Sequence, residues 1–249
     1  HVIGWYYSSR LSRRHIQPFI KHYHIDMSEY QQPAAGYATF NDFFARTLKP
    51  GARAINQAPH VIASPADSKV FVVPNVSTDT IFSIKAQHFD LKKFLGTAAL
   101  ADTFAGGTMM IFRLAPADYH WFHFPVDCTP AAPITISGLF ESVNQTVFAA
   151  GINPLTNNER HLIMLKTQTG GPVAMIAVGA MVVGKIIQTY TPNTECRKGD
   201  PAGYFALGGS TVVLLFAKNT VMPLQSFVQH SLQGYETAIQ MGEAVTNGK

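Results

Sequence analysis

The chain has 249 residues, of which 47% are hydrophobic and 14% are charged, so it can bury a large core and does not have the composition of a disordered protein. Its formal net charge of +4 is too small to indicate a nucleic-acid-binding surface. The longest apolar run, residues 172–184, is shorter than a transmembrane helix, and Cys128 and Cys196 form no CxxC pair. These features favour one globular domain over residues 1–249.

The first segment, residues 5–25, has the composition of a helix with a basic side and an apolar side. The apolar side would hold Trp5, Leu11, Ile16, Phe19 and Ile20. The positive charge comes from Arg10, Arg13, Arg14 and Lys21. Such a composition suits a helix on an anionic lipid surface, and the alternative is a helix packed on the domain with a solvated basic face. We treat residues 1–36 as a membrane-facing segment and keep both interpretations open.

A short helix is predicted over residues 41–48, preceded by a weak capping-box match of Thr39 with Asp42 and ended by Lys49-Pro50-Gly51. From Val61 onward, short β-rich runs alternate with Gly, Pro and Asn residues. One helix, about Leu91–Leu95, interrupts these runs, and a last helix is predicted at about Leu224–Met241. The predicted fold is α+β, a predominantly antiparallel β sandwich or barrel core with N-terminal helices and a C-terminal helix.

Three separate segments contain residues that could perform chemistry. Ser210, which follows Gly208 and Gly209, could be a nucleophile if a base touched it, although Gly-Gly-Ser is also a common turn before a strand. His120 and His123 lie between two acidic residues and could supply a general base.

The histidine pair has two further interpretations. An HxxH pair resembles part of a metal site, but it supplies two ligands and no second ligand motif accompanies it. Hydrogen-bonded structural histidines would have the same spacing. Asp67, in the segment SPADS, is either a turn residue or the acid that orients a histidine. Together the three segments supply an acid, a base and a hydroxyl nucleophile, a combination that is suggestive but not specific.

The order and wording of several segments resemble those of the phosphatidylserine decarboxylases. They are FNDFFARTLKPGARAI, SPADS, FDLKKFLG, RLAPADYHWFHFPVD, NERH, VGAMVVGKI and KGDPAGYFALGGSTVVLLF. The resemblance runs from about Tyr37 to Phe216, and the DYHxxH and GST elements in this order make it specific.

The resemblance implies a proenzyme that cleaves itself between Gly209 and Ser210. Residues 1–209 would form a β chain, and residues 210–249 would form an α chain whose first residue, Ser210, becomes a covalent pyruvoyl group. That group would form a Schiff base with phosphatidylserine and release carbon dioxide and phosphatidylethanolamine.

The resemblance also implies the role of each site residue. Asp67 and His123 would form the processing triad with Ser210, and His120 would serve decarboxylation near the pyruvoyl group by reprotonating the carbon. No metal is expected. The implied protein is a peripheral membrane protein on the cytoplasmic face of the membrane, with its own α and β chains and a second copy of itself as candidate partners and no nucleic acid.

Three positions depart from the family pattern. Ser68 and Cys128 stand where relatives often have glycine, and Trp121 stands where they often have arginine. None of the departures removes a catalytic residue, but they leave the substrate open. The alternatives are a pyruvoyl-dependent decarboxylase of a free aromatic amino acid such as tryptophan, an unprocessed homologue that only binds lipid, and, from other classes, a serine hydrolase or an HxxH metal protein.

Overall fold

The structure, a computed structural model, describes residues 2–77, 79–82, 87–139, 141, 154–168, 171–180, 185–208 and 210–248. Gly209 therefore lies outside the described residues, as do residues 181–184 of the segment VGAMVVGKI.

The described helices are short. They are α1 (Val2–Tyr7), α2 (Ile16–Tyr23), α3 (Phe40–Phe44), α4 (Leu91–Leu95), α5 (Ala98–Phe104), α6 (Pro154–Asn157) and α7 (Gln225–Leu232). Two 3-10 helices, Arg10–His15 and Met27–Glu29, flank α2.

The strands carry most of the core. They are β1 (Ser68–Val76), β2 (Asp79–Phe82), β3 (Gln87–Asp90), β4 (Gly107–Leu114), β5 (Trp121–His123), β6 (Cys128–Pro130), β7 (Ile134–Ile136), β8 (Arg160–Thr167), β9 (Val173–Val178), β10 (Ile186–Gln188), β11 (Pro201–Phe205), β12 (Ser210–Phe216) and β13 (Thr237–Ile239). The large antiparallel sheet has the order β13-β1-β4-β12-β9-β8-β6, with β7 also paired to β8. Separate small sheets are β10-β11-β5 and β2-β3.

The predicted α+β class is confirmed, and the large sheet is open rather than closed into a barrel within the described part of the chain. β12 lies near its centre, between β4 and β9, and all seven of its residues are buried. Because successive side chains of a strand point to opposite faces, Val212 and Leu214 join one hydrophobic cluster while Val213 and Leu215 join a second. Ser210 is thus the first residue of a fully buried strand near the centre of the large sheet.

Two short helices agree with the sequence predictions. Leu91–Leu95 is helical, with Asp90 as its N-cap. The capping box before α3 is also present, because Thr39 Oγ1 accepts from the Asp42 amide at 3.1 Å and Asp42 Oδ2 accepts from the Thr39 amide at 3.0 Å. α3 begins one residue earlier than predicted and ends at Phe44.

The helix predicted over residues 5–25 is wrong as one element, because the chain forms α1, a 3-10 turn and α2 in succession. The hydroxyls of Ser9 and Ser12 donate to the carbonyls of Tyr6 and Tyr7, at 2.6 Å and 3.0 Å, and compete with continuous helical hydrogen bonding. The last helix is also shorter than predicted. It ends at Leu232, Gly234 adopts a φ of 83°, and the chain then turns back as β13 beside β1.

Candidate active site

Ser210 is the first residue of β12, so it lies in a strand rather than in a turn. It pairs with Leu114, the last residue of β4. Its side chain is fully buried, and Oγ has no hydrogen-bond partner among the described residues. Gly208, two residues earlier, has a φ of 147°, which residues with a side chain rarely adopt. A buried hydroxyl without a partner costs free energy, which points to a functional reason for its placement.

His120 lies in the loop that leaves β4 beside Ser210, because Ser210 faces Leu114 across the ladder. Its Nδ1 is 2.8 Å from the carbonyl oxygen of Asp118. A carbonyl oxygen only accepts, so Nδ1 carries the hydrogen and Nε2 carries the lone pair. Nε2 is buried and has no partner among the described residues. Burial lowers the pKa of His120 to about 3, so the ring is neutral near pH 7. It can accept a proton at Nε2, and it can donate one from Nε2 only after it has accepted one.

His123 ends β5 and is held at both ring nitrogens. Nδ1 donates to the Gly199 carbonyl at 2.9 Å, and Nε2 therefore accepts from the Tyr119 hydroxyl at 3.1 Å. Burial lowers the pKa of His123, and the negative charge of Asp67 acts in the opposite direction. A neutral imidazole with a lone pair on Nε2 has the protonation state of a general base. To take a proton from Ser210, however, Nε2 must first give up Tyr119.

Asp67 lies next to the His123 segment but binds other partners. Arg53 contacts both carboxylate oxygens, with Nη2 to Oδ2 at 2.6 Å and Nε to Oδ1 at 3.0 Å, and the Met241 amide donates to Oδ1 at 2.8 Å. The segments are joined through the backbone, because the His123 amide donates to the Pro65 carbonyl at 2.8 Å. Among the described contacts, no hydrogen bond joins Asp67 to His123. The carboxylate therefore acts on the imidazole through its charge in this state.

Sequence reasoning missed Arg53, Tyr119 and Gly199 as site residues. All three lie inside the segments that carried the family resemblance, so their positions were visible in the sequence. Their roles were not visible, because each depends on a partner from a distant part of the chain.

The three departures from the family pattern have identifiable places. Trp121 stacks on Tyr204 with ring centroids 4.8 Å apart and donates from its indole nitrogen to the Ala45 carbonyl at 2.9 Å. The Ser68 hydroxyl donates to the Ala66 carbonyl at 3.2 Å. Cys128 is a buried free thiol. Trp121 lies between the two histidines in sequence, and Ser68 directly follows Asp67, so both departures are next to candidate site residues.

A cavity of about 500 Å³ borders the site between the N-terminal segment and the large sheet. Its lining includes Arg53 and the carboxylates of Asp26, Glu29, Asp67, Asp118 and Glu243. Burial raises the pKa of Asp118 to about 6. The cavity thus offers mainly negative charge close to the two segments that carry Asp67 and His120.

A metal ion at the HxxH pair would need further ligands, and the described residues place none beside the two histidines. Among those residues, no group of three or more His, Cys, Asp or Glu side chains is placed to hold one metal ion. His120 and His123 instead each donate a hydrogen bond from Nδ1 to a backbone carbonyl.

Comparison with known proteins identifies the family of this site. The phosphatidylserine decarboxylase family profile matches residues 40–247. A Fusobacterium nucleatum protein described as a phosphatidylserine decarboxylase proenzyme is 42% identical over 238 residues, which cover 96% of this chain and 79% of the relative. Proteins of the same description from Chlamydia trachomatis and Chlamydia felis are 40% and 38% identical over 244 residues, covering 98% of this chain and 81% and 82% of the relatives.

The matched range spans Asp67, both histidines and Ser210, so the similarity includes every residue of the candidate site. The Fusobacterium nucleatum relative matches 96% of this chain, and the matched part contains the buried Ser210 and the two buried histidines. The chain belongs to the phosphatidylserine decarboxylase family, a family of carboxy-lyases.

Proposed function

We propose that this chain is a proenzyme that cleaves itself between Gly209 and Ser210 and then decarboxylates phosphatidylserine. The observation that carries the proposal is the Ser210 hydroxyl, which is fully buried at the start of β12 and unpartnered among the described residues. Such a group is poorly explained as a structural serine, because a buried hydroxyl normally has a hydrogen-bond partner.

In the proposed cleavage, Ser210 Oγ loses its proton to a base and attacks the carbonyl carbon of Gly209. The peptide C–N bond breaks as an ester forms, and the Ser210 nitrogen becomes an amine. Loss of the Ser210 α-proton then expels the Gly209 carboxylate and leaves dehydroalanine, which water converts to a ketone and ammonia. Every step uses atoms of the chain and water.

His123 is the proposed base, and Asp67 its electrostatic support. The neutral tautomer set by the Gly199 carbonyl leaves a lone pair on Nε2, as proton abstraction requires. The negative charge of Asp67 raises the pKa of His123 against the effect of burial, so it favours the imidazolium that forms. Arg53 and the Met241 amide hold this carboxylate in place.

The site is compatible with a pyruvoyl group made from Ser210, because the Ser210 hydroxyl and His120 Nε2 are buried polar atoms with no partner among the described residues. When formed, the pyruvoyl group supplies a ketone that binds the substrate amine and accepts electrons as carbon dioxide leaves. The carboxylates of the neighbouring cavity would attract that amine. His120 would take up a proton at Nε2 and return it to the product carbon.

The remaining parts of the proposal concern the products and the location. Phosphatidylethanolamine and carbon dioxide would be the products. The substrate lies in a bilayer, so residues 1–36 would bring the protein to an anionic membrane surface as a peripheral protein on the cytoplasmic face. The α and β chains would remain partners, and a homodimer is part of the proposal on the family resemblance alone.

The test compares variants by intact mass after expression of the full chain. Ser210→Ala is expected to stay uncleaved and inactive, and His123→Ala and Asp67→Asn are expected to fold but to cleave slowly or not at all. Maturation of either variant at the wild-type rate would refute its triad role.

The second part of the test measures turnover. His120→Ala is expected to cleave yet to release carbon dioxide from phosphatidylserine vesicles roughly 10²–10⁴-fold more slowly than the wild type. The same assay with free tryptophan distinguishes the lipid substrate from a soluble amino acid. Turnover of tryptophan but not of the lipid would overturn the proposed substrate.

A further inference from the structure

Arg46, which is 1% exposed, carries a buried positive charge without a carboxylate partner among the described residues. Its Nη2 donates to the carbonyls of Ala117 and Asp118, at 2.6 Å and 3.1 Å. The guanidinium carbon lies 4.4 Å from the ring centre of Tyr30 and 4.9 Å from that of Phe43, and Nε is unpartnered in the described structure. Burying an unpaired charge is costly, and an apolar side chain could fill the same volume. A buried charge kept at this cost is expected to have a functional role.

The contacts of Arg46 lead directly to His120. The Asp118 carbonyl accepts from Arg46 Nη2 and also from His120 Nδ1 at 2.8 Å, so one oxygen joins the guanidinium to the imidazole. Phe44 places its ring centre 3.9 Å from that of His120. Ala45 accepts the indole hydrogen bond of Trp121. Residues 44–46, which we call the His120 clamp, thus contact the loop at residues 117–121 at several successive points.

We propose that Arg46 is a positioning residue for decarboxylation, which holds the Ala117–Asp118 turn and thereby fixes the direction in which His120 Nε2 points. The inference rests on the proposed function, because it assumes that His120 acts in turnover. Shifts of about 1 Å in a reacting group can cost roughly 100-fold in rate, so a lost anchor of this loop should be measurable.

The charge of Arg46 also affects the pKa of His120, which gives the proposal a second, independent test. The described hydrogen bonds and ring contacts of His120 involve the Phe44 ring from α3, the carbonyl of Asp118 from its own loop and the Phe205 amide from β11. Asp118 is the titratable residue of this set, and its carboxylate accepts from the Ala115 amide at 2.6 Å. After burial, the positive charge of Arg46 is what lowers the pKa of His120. Removing that charge raises the pKa of His120. The part of the pH profile of kcat that depends on the protonation of His120 therefore moves to higher pH.

The test uses the full chain with Arg46→Met and Arg46→Lys, and Arg160→Met as the matched control. Arg160 is also buried and bonded to backbone carbonyls, those of Phe94 at 2.6 Å and Asn158 at 2.8 Å, but it lies on β8. Arg46→Met is expected to cleave, to lose roughly 10–100-fold in kcat and to shift the His120-dependent limb to higher pH. Arg46→Lys keeps the charge, so the limb should stay in place while kcat falls less. Arg160→Met should lose stability without moving the limb.

A readout without turnover uses the uncleaved Ser210→Ala chain. The imidazole NMR signal of His120, assigned by its loss in Ser210→Ala/His120→Gln, should titrate at a higher pH once Arg46→Met is added. An unmoved titration, or wild-type kcat in Arg46→Met, would overturn the inference. If Arg46→Met does not cleave, Arg46→Lys decides, and wild-type kcat in that variant overturns it as well. Wild-type turnover in His120→Ala would instead refute the proposed role of His120 and would leave the NMR result standing.

Discussion

The two histidines differ in what occupies Nε2, although both carry their hydrogen on Nδ1. His120 Nε2 has no partner in the described structure, whereas His123 Nε2 accepts from the Tyr119 hydroxyl. His123, the proposed processing base, therefore has the correct tautomer, but its Nε2 lone pair already accepts a hydrogen bond from Tyr119. If His123 is the base, the proposed cleavage begins with an exchange of hydrogen-bond partners at this nitrogen.

Tyr119→Phe is expected to accelerate self-cleavage. Breaking one buried hydrogen bond costs on the order of 1 kcal/mol, so removing the phenol hydroxyl should raise the rate roughly fivefold. The Gly199 carbonyl still sets the tautomer of His123 in this variant. A time course of the uncleaved and cleaved masses after synthesis in a cell-free system measures the rate.

The control for this variant is Tyr190→Phe, which also removes a hydroxyl hydrogen bond, the one to the Ala131 carbonyl at 2.8 Å. Its cleavage rate should equal that of the wild type. Slower cleavage in Tyr119→Phe alone would contradict the exchange and would make the Tyr119 hydroxyl part of the proton path.

The sequence motifs predict Ser210, His120, His123 and Asp67 as site residues. The fold joins the Asp67 segment to His123 through Pro65 and pairs Ser210 with Leu114, but no described hydrogen bond joins the Ser210 hydroxyl to either histidine. The motifs could not reveal how Asp67 is used, because its partner Arg53 and the Met241 amide come from elsewhere in the chain. Pairing of carboxylate with guanidinium depends on a tertiary approach that no local spacing encodes. The same is true of Arg46, because the carbonyls of Ala117 and Asp118 that it binds lie more than 70 positions away.

At the level of elements, local signals succeeded where the neighbouring residues decide the structure. Leu91–Leu95 is such a case, because Asp90 caps the helix and Gly96 adopts the left-handed conformation that ends it. The short strands β5 and β11 are not among the β-rich runs that the sequence predicts, since their pairing depends on a register between residues about 80 positions apart. The N-terminal helix was predicted from composition, and composition does not reveal that the hydroxyls of Ser9 and Ser12 donate to nearby carbonyls.

The capping box of α3 should matter for turnover as well as for stability, because α3 leads into the His120 clamp. Thr39→Ala removes the cap, so the free energy of unfolding should fall by about 1 kcal/mol and the melting temperature by about 2–4 °C. Fraying of α3 should also loosen residues 44–46 and lower kcat. Thermal melts and carbon dioxide release by the cleaved protein measure the two effects.

Thr97→Ala is the matched control, since Thr97 Oγ1 caps α5 by accepting from the Leu100 amide at 3.3 Å. It should lose similar stability and keep wild-type kcat. Equal kcat values for Thr39→Ala and Thr97→Ala would show that the cap stabilises the fold without reaching the His120 clamp.

For the whole molecule, the topology explains how the proposed α and β chains could stay together after cleavage. Residues 210–248 contain β12, which is hydrogen-bonded to β4 on one side and to β9 on the other. They also contain β13, which pairs with β1. Separation of the two pieces would expose the fully buried β12, so we infer that they remain one folded unit.

The N-terminal segment has a different exposed surface from the one predicted by composition. Phe19 and Ile20 are partly buried against the cluster of Ile16, Phe40 and Phe43, so they offer less apolar surface to lipid than the composition predicts. The large exposed apolar side chains of this region include Trp5 and Leu11, which are 73% and 67% exposed. No helix in the described residues is long and apolar enough to cross a bilayer.

Arg10, Arg13 and Arg14 are all exposed near Trp5 and Leu11 in the chain, so this surface is the proposed membrane contact. Each basic residue near an anionic surface contributes about 1 kcal/mol, and added salt screens that attraction. Replacing all three by glutamate should abolish sedimentation with phosphatidylserine vesicles and lower turnover on them, while self-cleavage, which is internal to the chain, continues at the wild-type rate.

The control is Lys92→Glu/Lys166→Glu/Lys218→Glu, which makes the same charge change at exposed lysines elsewhere. If both triple variants lose vesicle binding equally, net charge rather than the N-terminal surface attracts the protein; if neither does, another surface docks on the membrane.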